Sequence, residues 1–323
     1  MDRSASLPHS LLAPFVSTLV VGVDGGGSKT HVVVAGARGP DLSDIVGSPS
    51  AVRPGQISKS VDIIARLVAE ALEAAGKSDQ RPSALCVGVA GVGRDAEFAA
   101  FFTEMQDRDL ADELVVLPDA VVALEDAFGD DAGILLIAGT GSVCYGRSPT
   151  GKMARCGGWG FFCGDEGGGA WIGRRALSVV TASSDGREPE TALVGALLNS
   201  LTLSKVEELV AWGAGATVQQ LAQVAPLVIS VAATGDLRAN SLLAMAAEEL
   251  VLHVRTLARD LFVDERAALP VAFSGGLMHP GSYMRKLVEH RLRSSVPGAT
   301  VRREPVVPVR GAIRVARRSA AGA

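Results

Sequence analysis

The sequence predicts an α/β protein of two domains, and three observations lead to that prediction. An apolar strand, a turn of small residues and a returning strand occur at residues 20–34, and the same arrangement recurs at residues 133–146. Short apolar or β-branched runs alternate with segments whose apolar residues recur at helical spacing. The length of 323 residues also favours two domains, at roughly 100–200 residues per domain. Identity between the halves is slight, so the repeat is one of architecture rather than of sequence.

The composition is that of an ordinary globular protein. Hydrophobic residues make up 48% of the chain and charged residues 20%, which excludes a disordered class. A net charge of -4 provides no general field for attracting nucleic acid or an anionic membrane. The arginine-rich stretch at residues 302–318 is interpreted as a solvated helix face. We therefore expect neither nucleic acid nor membrane as a partner.

The cysteines indicate a reducing compartment. Cys86, Cys144, Cys156 and Cys163 are the four cysteines of the chain. They form no CxxC pair and have no histidine at zinc-finger spacing, so reduced thiols in a cytoplasmic protein are expected.

No targeting segment or membrane span is expected either. The apolar stretch at residues 11–23 follows Asp2, contains Pro14 and runs straight into the first hairpin, so we reject a signal peptide. No apolar run approaches the ~20 residues that a membrane-spanning helix needs. Residues 1–17 are predicted to be a loose extension.

The first hairpin has the features of a phosphate-binding turn. Its first strand ends at Asp24, and the turn reads Gly25-Gly26-Gly27-Ser28-Lys29-Thr30. A Walker loop needs lysine directly after its last glycine, and both that loop and the dinucleotide fingerprint continue into a helix, whereas a β-branched run follows here. Glycines let backbone N–H groups approach a ligand, and a strand-end carboxylate suits nucleotide-bound Mg²⁺. The alternative is a glycine-rich hairpin with an aspartate in its turn.

The segment between the hairpins alternates helices and strands. A loop at residues 47–55, helices at 57–75 and 95–105, and strands at 84–91 and 113–117 are predicted. Asp119 follows the last of these strands and begins a helix at residues 120–128. This position suits a ligand-facing carboxylate and a helix N-cap equally well.

The second hairpin consists of a strand at residues 133–138, the turn Gly139-Thr140-Gly141-Ser142 and a strand at 143–146. The loop of residues 157–177 contains eight glycines, two tryptophans and the acidic pair Asp165-Glu166 before it enters a helix. Its backbone can approach a ligand closely, which favours a binding loop over a plain surface loop.

The last part of the chain is mainly helical. Long helical patterns cover residues 217–233 and 236–262, within a segment at 188–262 that is almost wholly helical. A strand ending in Gly275-Gly276, a strand at residues 301–306 and a helix at 308–317 complete the prediction.

These motifs together resemble the ATPase superfamily of actin, hexokinase and the heat-shock chaperones. The sequence is more closely similar to the N-acetylglucosamine kinase branch of the BadF/BadG/BcrA/BcrD-type ATPase family, over roughly residues 19–317. The most specific motif runs from Gly157-Gly158-Trp159-Gly160 through Gly164-Asp165-Glu166-Gly167 to Trp171-Ile172-Gly173. The other matches are Asp24-Gly25-Gly26-Gly27-Ser28-Lys29-Thr30, Pro118-Asp119-Ala120, Gly139-Thr140-Gly141-Ser142 and Phe273-Ser274-Gly275-Gly276.

The resemblance implies two ribonuclease-H-like domains with ATP in the cleft between them and a last helix that returns to the first domain. We expect an N-terminal domain at residues 18–117 plus 306–323 and a larger C-terminal domain at 118–305. The resemblance also implies ATP and Mg²⁺ as cofactors and an amino sugar as the second substrate. The expected enzyme is a hexosamine kinase that acts on the sugar 6-hydroxyl, and we expect a homodimer.

The resemblance also assigns roles to individual residues. Asp24 is expected at the metal, and Asp119 is expected to act as the base that faces the 6-hydroxyl. The expected phosphate-binding residues are Gly25, Gly26, Gly27, Ser28, Lys29, Thr30, Thr140, Gly141 and Ser142. Gly275 and Gly276 are assigned to the adenosine. The expected sugar-binding residues are Asp119, Gly158, Trp159, Asp165 and Glu166.

Two departures from the family pattern leave the choice of sugar open. Family members often carry asparagine where this chain has Ala51, which cannot donate an amide hydrogen bond to a sugar hydroxyl. Arg53 replaces that contact or is simply exposed, and Gly168 stands where serine is common. N-acetylglucosamine, glucosamine and a muramic-acid derivative are therefore not separated.

Two other functions remain as alternatives. One is an activator ATPase of acyl-CoA dehydratase or reductase systems, which holds an iron–sulfur cluster between subunits through cysteines. Cys156 and Cys163 lie near the corresponding region, but that region carries Trp159 and Asp165-Glu166. The other is a non-catalytic sensor of sugar or ATP, which the intact carboxylates and hairpins disfavour.

Overall fold

The computed structural model describes residues 18–262 and 268–322 of the chain. Contacts between residues divide the chain into two compact units. The first unit consists of Met1–Asp119 and Ala312–Ala323, and the second consists of Ala120–Gly311. The predicted extension at residues 1–17 lies outside the described residues.

The first unit is a five-stranded sheet with helices. Its elements up to the unit boundary are β1 (Leu19–Gly25), β2 (Thr30–Gly36), β3 (Asp41–Gly47), α1 (Ile57–Ala74), β4 (Ala84–Val89), α2 (Asp95–Asp107) and β5 (Glu113–Pro118). The strand order is β3-β2-β1-β4-β5. β2 runs antiparallel to both of its neighbours, β1 and β3, whereas β1, β4 and β5 are parallel.

Burial in this sheet follows from strand position. β4 is buried along its whole length, and β1 is buried except at Asp24. Strands covered on both faces need such continuous apolar runs. The edge strand β3 has no buried residue. α1 turns Val61, Ile64 and Val68 into the core, in keeping with the helical spacing that predicted it.

The second unit repeats this plan with additional helices. Its elements are α3 (Asp119–Phe128), β6 (Gly133–Ala138), β7 (Ser142–Arg147), β8 (Met153–Gly157), α4 (Gly169–Ser184), α5 (Leu193–Leu201), α6 (Glu208–Gly215), α7 (Val218–Ala222), α8 (Ala225–Ala233), α9 (Leu237–Leu261), β9 (Leu269–Ser274), α10 (Tyr283–Ser295), β10 (Ala299–Val301) and α11 (Pro308–Gly322). α3 begins at the last residue of the first unit, and α11 continues into the first unit from Ala312.

The two sheets have corresponding strand orders. The second sheet is ordered β10-β9-β6-β7-β8, and each of its strands has a counterpart in the first sheet, with β6 corresponding to β1. The pairing directions also match, because β6, β9 and β10 are parallel while β7 and β8 run antiparallel to their neighbours. The predicted α/β class and the predicted repeat of architecture are confirmed.

Four local predictions need correction. β8 and α10 were not predicted, because the first is a five-residue edge strand and the second is rich in arginine and lysine. The strand predicted at residues 301–306 is observed earlier, as the three-residue β10, and the two overlap only at Val301, since the segment beyond it is charged and contains prolines. The predicted helix at 217–233 is two helices, because Pro226 in the first turn of α8 has no N–H to continue the helix.

The core of the second unit forms mainly around α9. This helix buries one long apolar stripe that includes Leu243, Leu250 and Leu257. A smaller cluster places Leu124 and Phe128 of α3 against Leu135 of β6. Among the described residues, none of the helices combines the length and the apolar character that crossing a lipid bilayer requires.

Candidate functional site

Asp24 and Asp119 lie at the same edge of the first sheet. In the parallel register of β1, β4 and β5, Gly25 pairs with Val89 and Val89 pairs with Pro118. Asp24 is next to the end of β1, and Asp119 follows the end of β5 directly. The carboxyl ends of parallel strands are where open α/β sheets place their ligands. The sheet therefore brings two predicted site residues together.

The two carboxylates influence each other. The pKa of Asp24 is raised from 3.8 to about 6, mainly by burial and next by the negative charge of Asp119. His31 and Lys29 lower this pKa and so offset part of the rise. Two carboxylates in one place disfavour the charged state. The pair consequently presents a half-buried negative charge that a cation would neutralise.

A backbone hydrogen bond closes the turn after Asp24, and three of the turn's residues are exposed. Gly26 N–H donates to the carbonyl of Lys29 at 3.0 Å, and Gly27, Ser28 and Lys29 are exposed. A Cβ atom on Gly27 would meet no heavy atom within 4 Å. The fold therefore does not require glycine at position 27. Its absence of a side chain leaves the backbone N–H accessible to a ligand.

Thr30 is placed differently from the exposed turn residues. It is fully buried, and its hydroxyl lies 2.6 Å from the carbonyl of Ser48 and 2.7 Å from Oγ of Ser50. The side chain thus supports the loop after β3. Sequence reasoning did not assign a role to Ser50. Its place beside the hairpin is visible only in the structure, where a Cβ atom on Gly25 would lie 2.6 Å from the Ser50 Oγ.

Backbone hydrogen bonds attach the loop after β3 to the first turn. Ala51 N–H donates to Gly26 O at 3.1 Å, and Val52 N–H donates to Ala90 O at 2.8 Å. Ala90 N–H in turn donates to Gly25 O at 2.9 Å. The predicted Ala51 and Arg53 region is therefore part of the same local structure as the Asp24 hairpin.

In the second unit, two glycine turns lie at neighbouring strand ends. β6 and β9 are parallel, with Ile137 opposite Ser274, so the turns that follow them meet at one edge. Gly275 has a φ of +93°, and a Cβ atom there would overlap the carbonyl of Ala138. Only glycine fits such a position. The Thr140 turn and Gly275-Gly276 therefore lie at the same edge of the second sheet.

The first residues of α4 support the Thr140 turn. Gly169 N–H donates to Gly139 O at 2.8 Å, and Ala170 N–H donates to Thr140 O at 2.9 Å. The Thr140 hydroxyl donates a long 3.4 Å hydrogen bond to the amide oxygen of Gln219. The turn is consequently held from its carbonyl side.

Asp165 lies against the same turn. Burial raises its pKa, and the N–H groups of Gly160 and Ser142 that donate to its carboxylate oppose that rise. A Cβ atom on Gly141 would overlap this carboxylate, and Asp165 itself has a φ of +59°, which is uncommon for a residue other than glycine. The backbone therefore positions the Asp165 side chain despite strain.

Glu166 and Ser142 are also connected to each other. The Ser142 hydroxyl is buried and donates to the backbone carbonyl of Glu166 at 2.6 Å. The Glu166 side chain has Oε2 3.9 Å from Nε2 of the buried His253, and His253 Nδ1 lies 2.6 Å from Glu249 O. Sequence reasoning missed His253. Its signal is a single polar residue on the buried stripe of α9.

Gly158 and Trp159 form an outer part of this loop. Gly158 has a φ of +70°, and its carbonyl accepts a 3.5 Å hydrogen bond from Arg155. The Arg155 guanidinium also stacks on the Trp159 ring, 4.7 Å from its centroid. Trp159 retains 66% of its surface exposed, so it presents an aromatic face near Asp165.

The donor set suits a metal that arrives with its ligand. Among residues 18–262 and 268–322, no three or more histidine, cysteine, aspartate or glutamate side chains form a group that would hold a metal ion. Mg²⁺ binds commonly through one or two carboxylates, substrate phosphates and water. Asp24 fits that role.

Two sheets of matching strand order, each with a small-residue turn after its first strand, define the two-domain fold of the actin-like ATPases and sugar kinases. The family model of the BadF/BadG/BcrA/BcrD ATPase family matches residues 21–316. The chain belongs to this family, and the predicted family resemblance and fold are confirmed.

The relatives and a solved structure agree with that assignment. The chain is 32% identical to an N-acetylmuramic acid/N-acetylglucosamine kinase of Clostridium acetobutylicum, over 82% of this chain and 87% of the relative. It is 27% identical to an N-acetyl-D-glucosamine kinase of Dictyostelium discoideum, over 92% of this chain and 97% of the relative. A crystal structure from Chromobacterium violaceum, provisionally called an N-acetylglucosamine kinase, superposes with a TM-score of 0.78 at 30% identity and covers 92% of this chain and 98% of its own.

Proposed function

We propose that the protein transfers the γ-phosphoryl group of ATP to the 6-hydroxyl of N-acetylglucosamine or a close hexosamine. The observation that carries this proposal is the carboxylate pair of Asp24 and Asp119 at one sheet edge, directly beside a glycine turn with an open backbone. Relatives that match most of this chain are amino-sugar kinases, which supports the choice of acceptor.

The two small-residue turns are proposed to bind the β- and γ-phosphates. Phosphoryl transfer requires of a protein mainly in-line positioning and stabilisation of oxygen charge. Backbone N–H groups, the Lys29 ammonium and hydroxyl groups supply these functions. The proposed ligands are Gly25, Gly26, Gly27, Ser28, Lys29, Thr30, Thr140, Gly141 and Ser142. Thr30 and Ser142 are buried and hold the turns in shape, so their side chains are assigned a positioning role.

Gly275 and Gly276 are proposed to lie against the adenosine. They occupy the strand end next to the Thr140 turn. A Cβ atom added to Gly276 would meet no heavy atom within 4 Å. An open glycine backbone beside a phosphate-binding turn leaves room for a flat base or a ribose.

Asp119 is proposed to be the general base. Its carboxylate accepts the proton of the 6-hydroxyl as the oxygen attacks the γ-phosphorus, and ADP leaves with the electron pair of the broken bond. Base catalysis typically raises the reaction rate 10²–10⁴-fold. Holding the two reactants together lowers the activation barrier by up to about 7–11 kcal/mol. Asp119 is therefore expected to matter for turnover more than for ATP binding.

Mg²⁺ bound to ATP is proposed as the cation that Asp24 meets, directly or through water, and it would supply charge neutralisation at the phosphate oxygens. The raised pKa of Asp24 supports this, because the carboxylate has too few positive neighbours in its own unit to favour its charged form. The enzyme is expected to need a divalent cation, and to lose activity when that cation is chelated.

The sugar is proposed to bind through Asp165, the Gly158 backbone, Trp159 and Glu166. Asp165 is held rigidly by two N–H donors and a strained backbone, which suits a group that must orient hydroxyls. The exposed ring of Trp159 offers an apolar face. Aromatic faces and a few well-placed polar groups are usual in small-molecule sites.

The proposed function is tested by measuring ADP release with ATP, Mg²⁺ and a panel of sugars. N-acetylglucosamine, glucosamine, glucose and no sugar are compared, and the phosphorylated product is identified by mass and NMR spectroscopy. We expect release to depend on an amino sugar and the phosphate to be on its 6-oxygen. Release that is the same without sugar would contradict the proposal.

A compartment and an assembly state are also proposed. We place the protein in the cytoplasm, where ATP is available and its cysteines stay reduced. Burial raises the pKa of Cys144 and of Cys156, so both thiols stay protonated. A homodimer is proposed, and light scattering after size-exclusion chromatography measures it directly.

A further inference from the structure

α9 buries one polar side chain within an otherwise apolar stripe. The residues that this helix buries are alanine, valine or leucine at every position except His253, which retains 6% of its surface exposed. Burying a polar side chain costs free energy unless its polar atoms find partners. The position of His253 therefore indicates a specific contact rather than packing alone.

One ring nitrogen of His253 is bound within α9. Nδ1 lies 2.6 Å from the carbonyl oxygen of Glu249, and a carbonyl can only accept, so Nδ1 carries a proton and donates it. In an α-helix that carbonyl also accepts the backbone N–H four residues later, so it does not need the imidazole as a partner. The Nδ1 bond thus fixes the orientation of the ring, and Nε2 faces a different group.

Two glycines let the loop of the acidic pair rest on α9 beside the imidazole. A Cβ atom on Gly157 would overlap Nε2 and Cδ2 of His253, and a Cβ atom on Gly167 would overlap Ala246 and Leu250. The two glycines have φ values of +73° and +76°, a conformation that side chains other than glycine rarely adopt. Because the three α9 residues are spaced by four and three positions, they lie on one face of the helix. That face therefore positions both ends of the loop.

The contact between Glu166 and His253 is electrostatic rather than a hydrogen bond. Oε2 of Glu166 lies 3.9 Å from Nε2 of His253, which exceeds hydrogen-bonding distance. A protonated Nε2 attracts the carboxylate at this distance, while the carboxylate oxygens keep their acceptor sites for other donors. The Glu166 side chain is 37% exposed, so sugar hydroxyls can reach those sites.

His253 also acts on Asp165, the other member of the acidic pair. Burial raises the pKa of Asp165, the negative charge of Glu166 raises it as well, and the positive charge of His253 lowers it. A carboxylate only accepts hydrogen bonds, whereas a protonated carboxyl group also donates one. The imidazole therefore helps to keep the pair as acceptors for sugar hydroxyls.

We infer that His253 is a positioning residue for the sugar substrate, because its Nε2 holds the Glu166 carboxylate in place for the hydroxyl groups of the hexosamine. This inference rests on the proposed function, since it concerns the sugar of the same reaction. The competing role is a structural one, in which the bond from Nδ1 to Glu249 O only stabilises α9.

Two amide variants separate these roles. The asparagine amide lies near the position of Nδ1, and the glutamine amide, one methylene further out, lies near the position of Nε2. His253→Gln should keep the KM for N-acetylglucosamine within about threefold of the wild type, whereas His253→Asn should raise it about tenfold. In both variants kcat and the KM for ATP should stay within about threefold, since a loss of sugar binding alone raises only the KM for the sugar.

A double-variant cycle tests whether His253 acts through Glu166. Glu166→Gln alone should raise the KM for N-acetylglucosamine about tenfold. With Glu166→Gln already present, His253→Asn should raise this KM no further, because residues that act as a unit have non-additive effects.

The matched control is His290→Asn, because His290 is an exposed histidine on α10 of the same unit. It should leave kcat and both KM values unchanged. The thermal midpoint of every variant is measured beside its kinetics, so that a loss of folding is distinguished from a loss of sugar binding.

The possible results separate this inference from the proposed function. An unchanged KM in His253→Asn, or the reverse order of the two amide variants, overturns the inference and leaves the proposed function standing. A rise in KM that persists in the Glu166→Gln background does the same. Loss of folding in both amide variants assigns His253 to the stability of α9 and also overturns the inference. ADP release by the wild type that does not depend on an amino sugar contradicts the proposed function, and the inference with it.

Discussion

At the scale of single residues, Asp24 is held in a position that opposes its own charge. Burial and the neighbouring Asp119 raise its pKa to about 6. The folded protein therefore favours the protonated form of Asp24 more than the unfolded chain does. Its favourable contribution to stability is complete below about pH 4 and is lost as the pH rises through about 6.

We predict that Asp24→Asn stabilises the protein at pH 8 in the absence of divalent cations. The gain is up to about 3 kcal/mol, since one pKa unit corresponds to about 1.36 kcal/mol, and it should largely disappear at pH 4. Thermal midpoints of both proteins, measured across this pH range with EDTA, test it. Asp107→Asn is the control, because Asp107 is exposed at the end of α2. A wild type more stable than Asp24→Asn at pH 8 would refute the account of this site.

Gly27 gives a second prediction at the same scale. Because an added Cβ atom meets no heavy atom within 4 Å, Gly27→Ala should unfold at the wild-type temperature. It should nevertheless raise the KM for ATP about tenfold or more, since the methyl group obstructs approach to the backbone N–H. Gly215→Ala, equally open but at the end of α6, is the control and should do neither. Unaltered ATP kinetics in Gly27→Ala would remove this turn from the phosphate site.

At the scale of elements, Asp236 fixes the start of α9, around which the second unit is packed. Burial alone would raise its pKa, but N–H groups of Ala239 and Ala192 and the Thr191 hydroxyl donate to the carboxylate and lower it overall. The bonds to Ala239 and Ala192 are both 2.8 Å long. One side chain thereby caps α9 and attaches it to the start of α5.

We predict that Asp236→Ala lowers the stability of the second unit by about 2 kcal/mol, the upper part of the range for a lost N-cap. Since the folded pKa is depressed, the contribution of Asp236 is present above about pH 4 and is lost as the pH falls through the folded value. In chemical unfolding, the free energies of unfolding of the wild type and Asp236→Ala should differ strongly at pH 7 and only slightly at pH 3. Asp236→Asn, which still caps, should retain most of the stability, and equal losses in the two variants would show that the cap is not the cause.

The elements that the sequence predicted well are those with strong local signals. Both hairpins, α1 and α9 have apolar periodicity or glycine turns that determine them without tertiary help. β8 and α10 lack such signals, because β8 is stabilised by pairing with β7 and α10 is polar except on one side. The correspondence between the two sheets indicates a strand at β8, because β3 occupies the same edge position in the first sheet.

Spatial relations within the site were less accessible from the sequence. The burial of Thr30 depends on Ser48 and Ser50, which lie in a loop whose path no local pattern specifies. His253 is placed beside Glu166 only by packing of α9. The sequence leaves Asp119 as either a helix cap or a ligand-facing carboxylate, and only the parallel register of β1, β4 and β5 puts it at the same sheet edge as Asp24.

At the scale of the whole molecule, one sheet plan is used twice for related tasks. The turn after β1 lies beside Asp24 and Asp119, and the turn after β6 lies beside Asp165. Each unit therefore has one small-residue turn with at least one carboxylate beside it. This division agrees with a reaction that has two substrates, a nucleotide and a sugar.

Asp119 is proposed to remove the proton from the sugar, and the variant Asp119→Asn tests this role. ATP affinity is measured by calorimetry and turnover by ADP release with N-acetylglucosamine, with Asp107→Asn as the control. We expect Asp119→Asn to fold, to bind ATP within a few-fold of the wild type and to lose about 10²–10⁴-fold in kcat. Turnover close to that of the wild type would contradict the role of Asp119 and the account built on it.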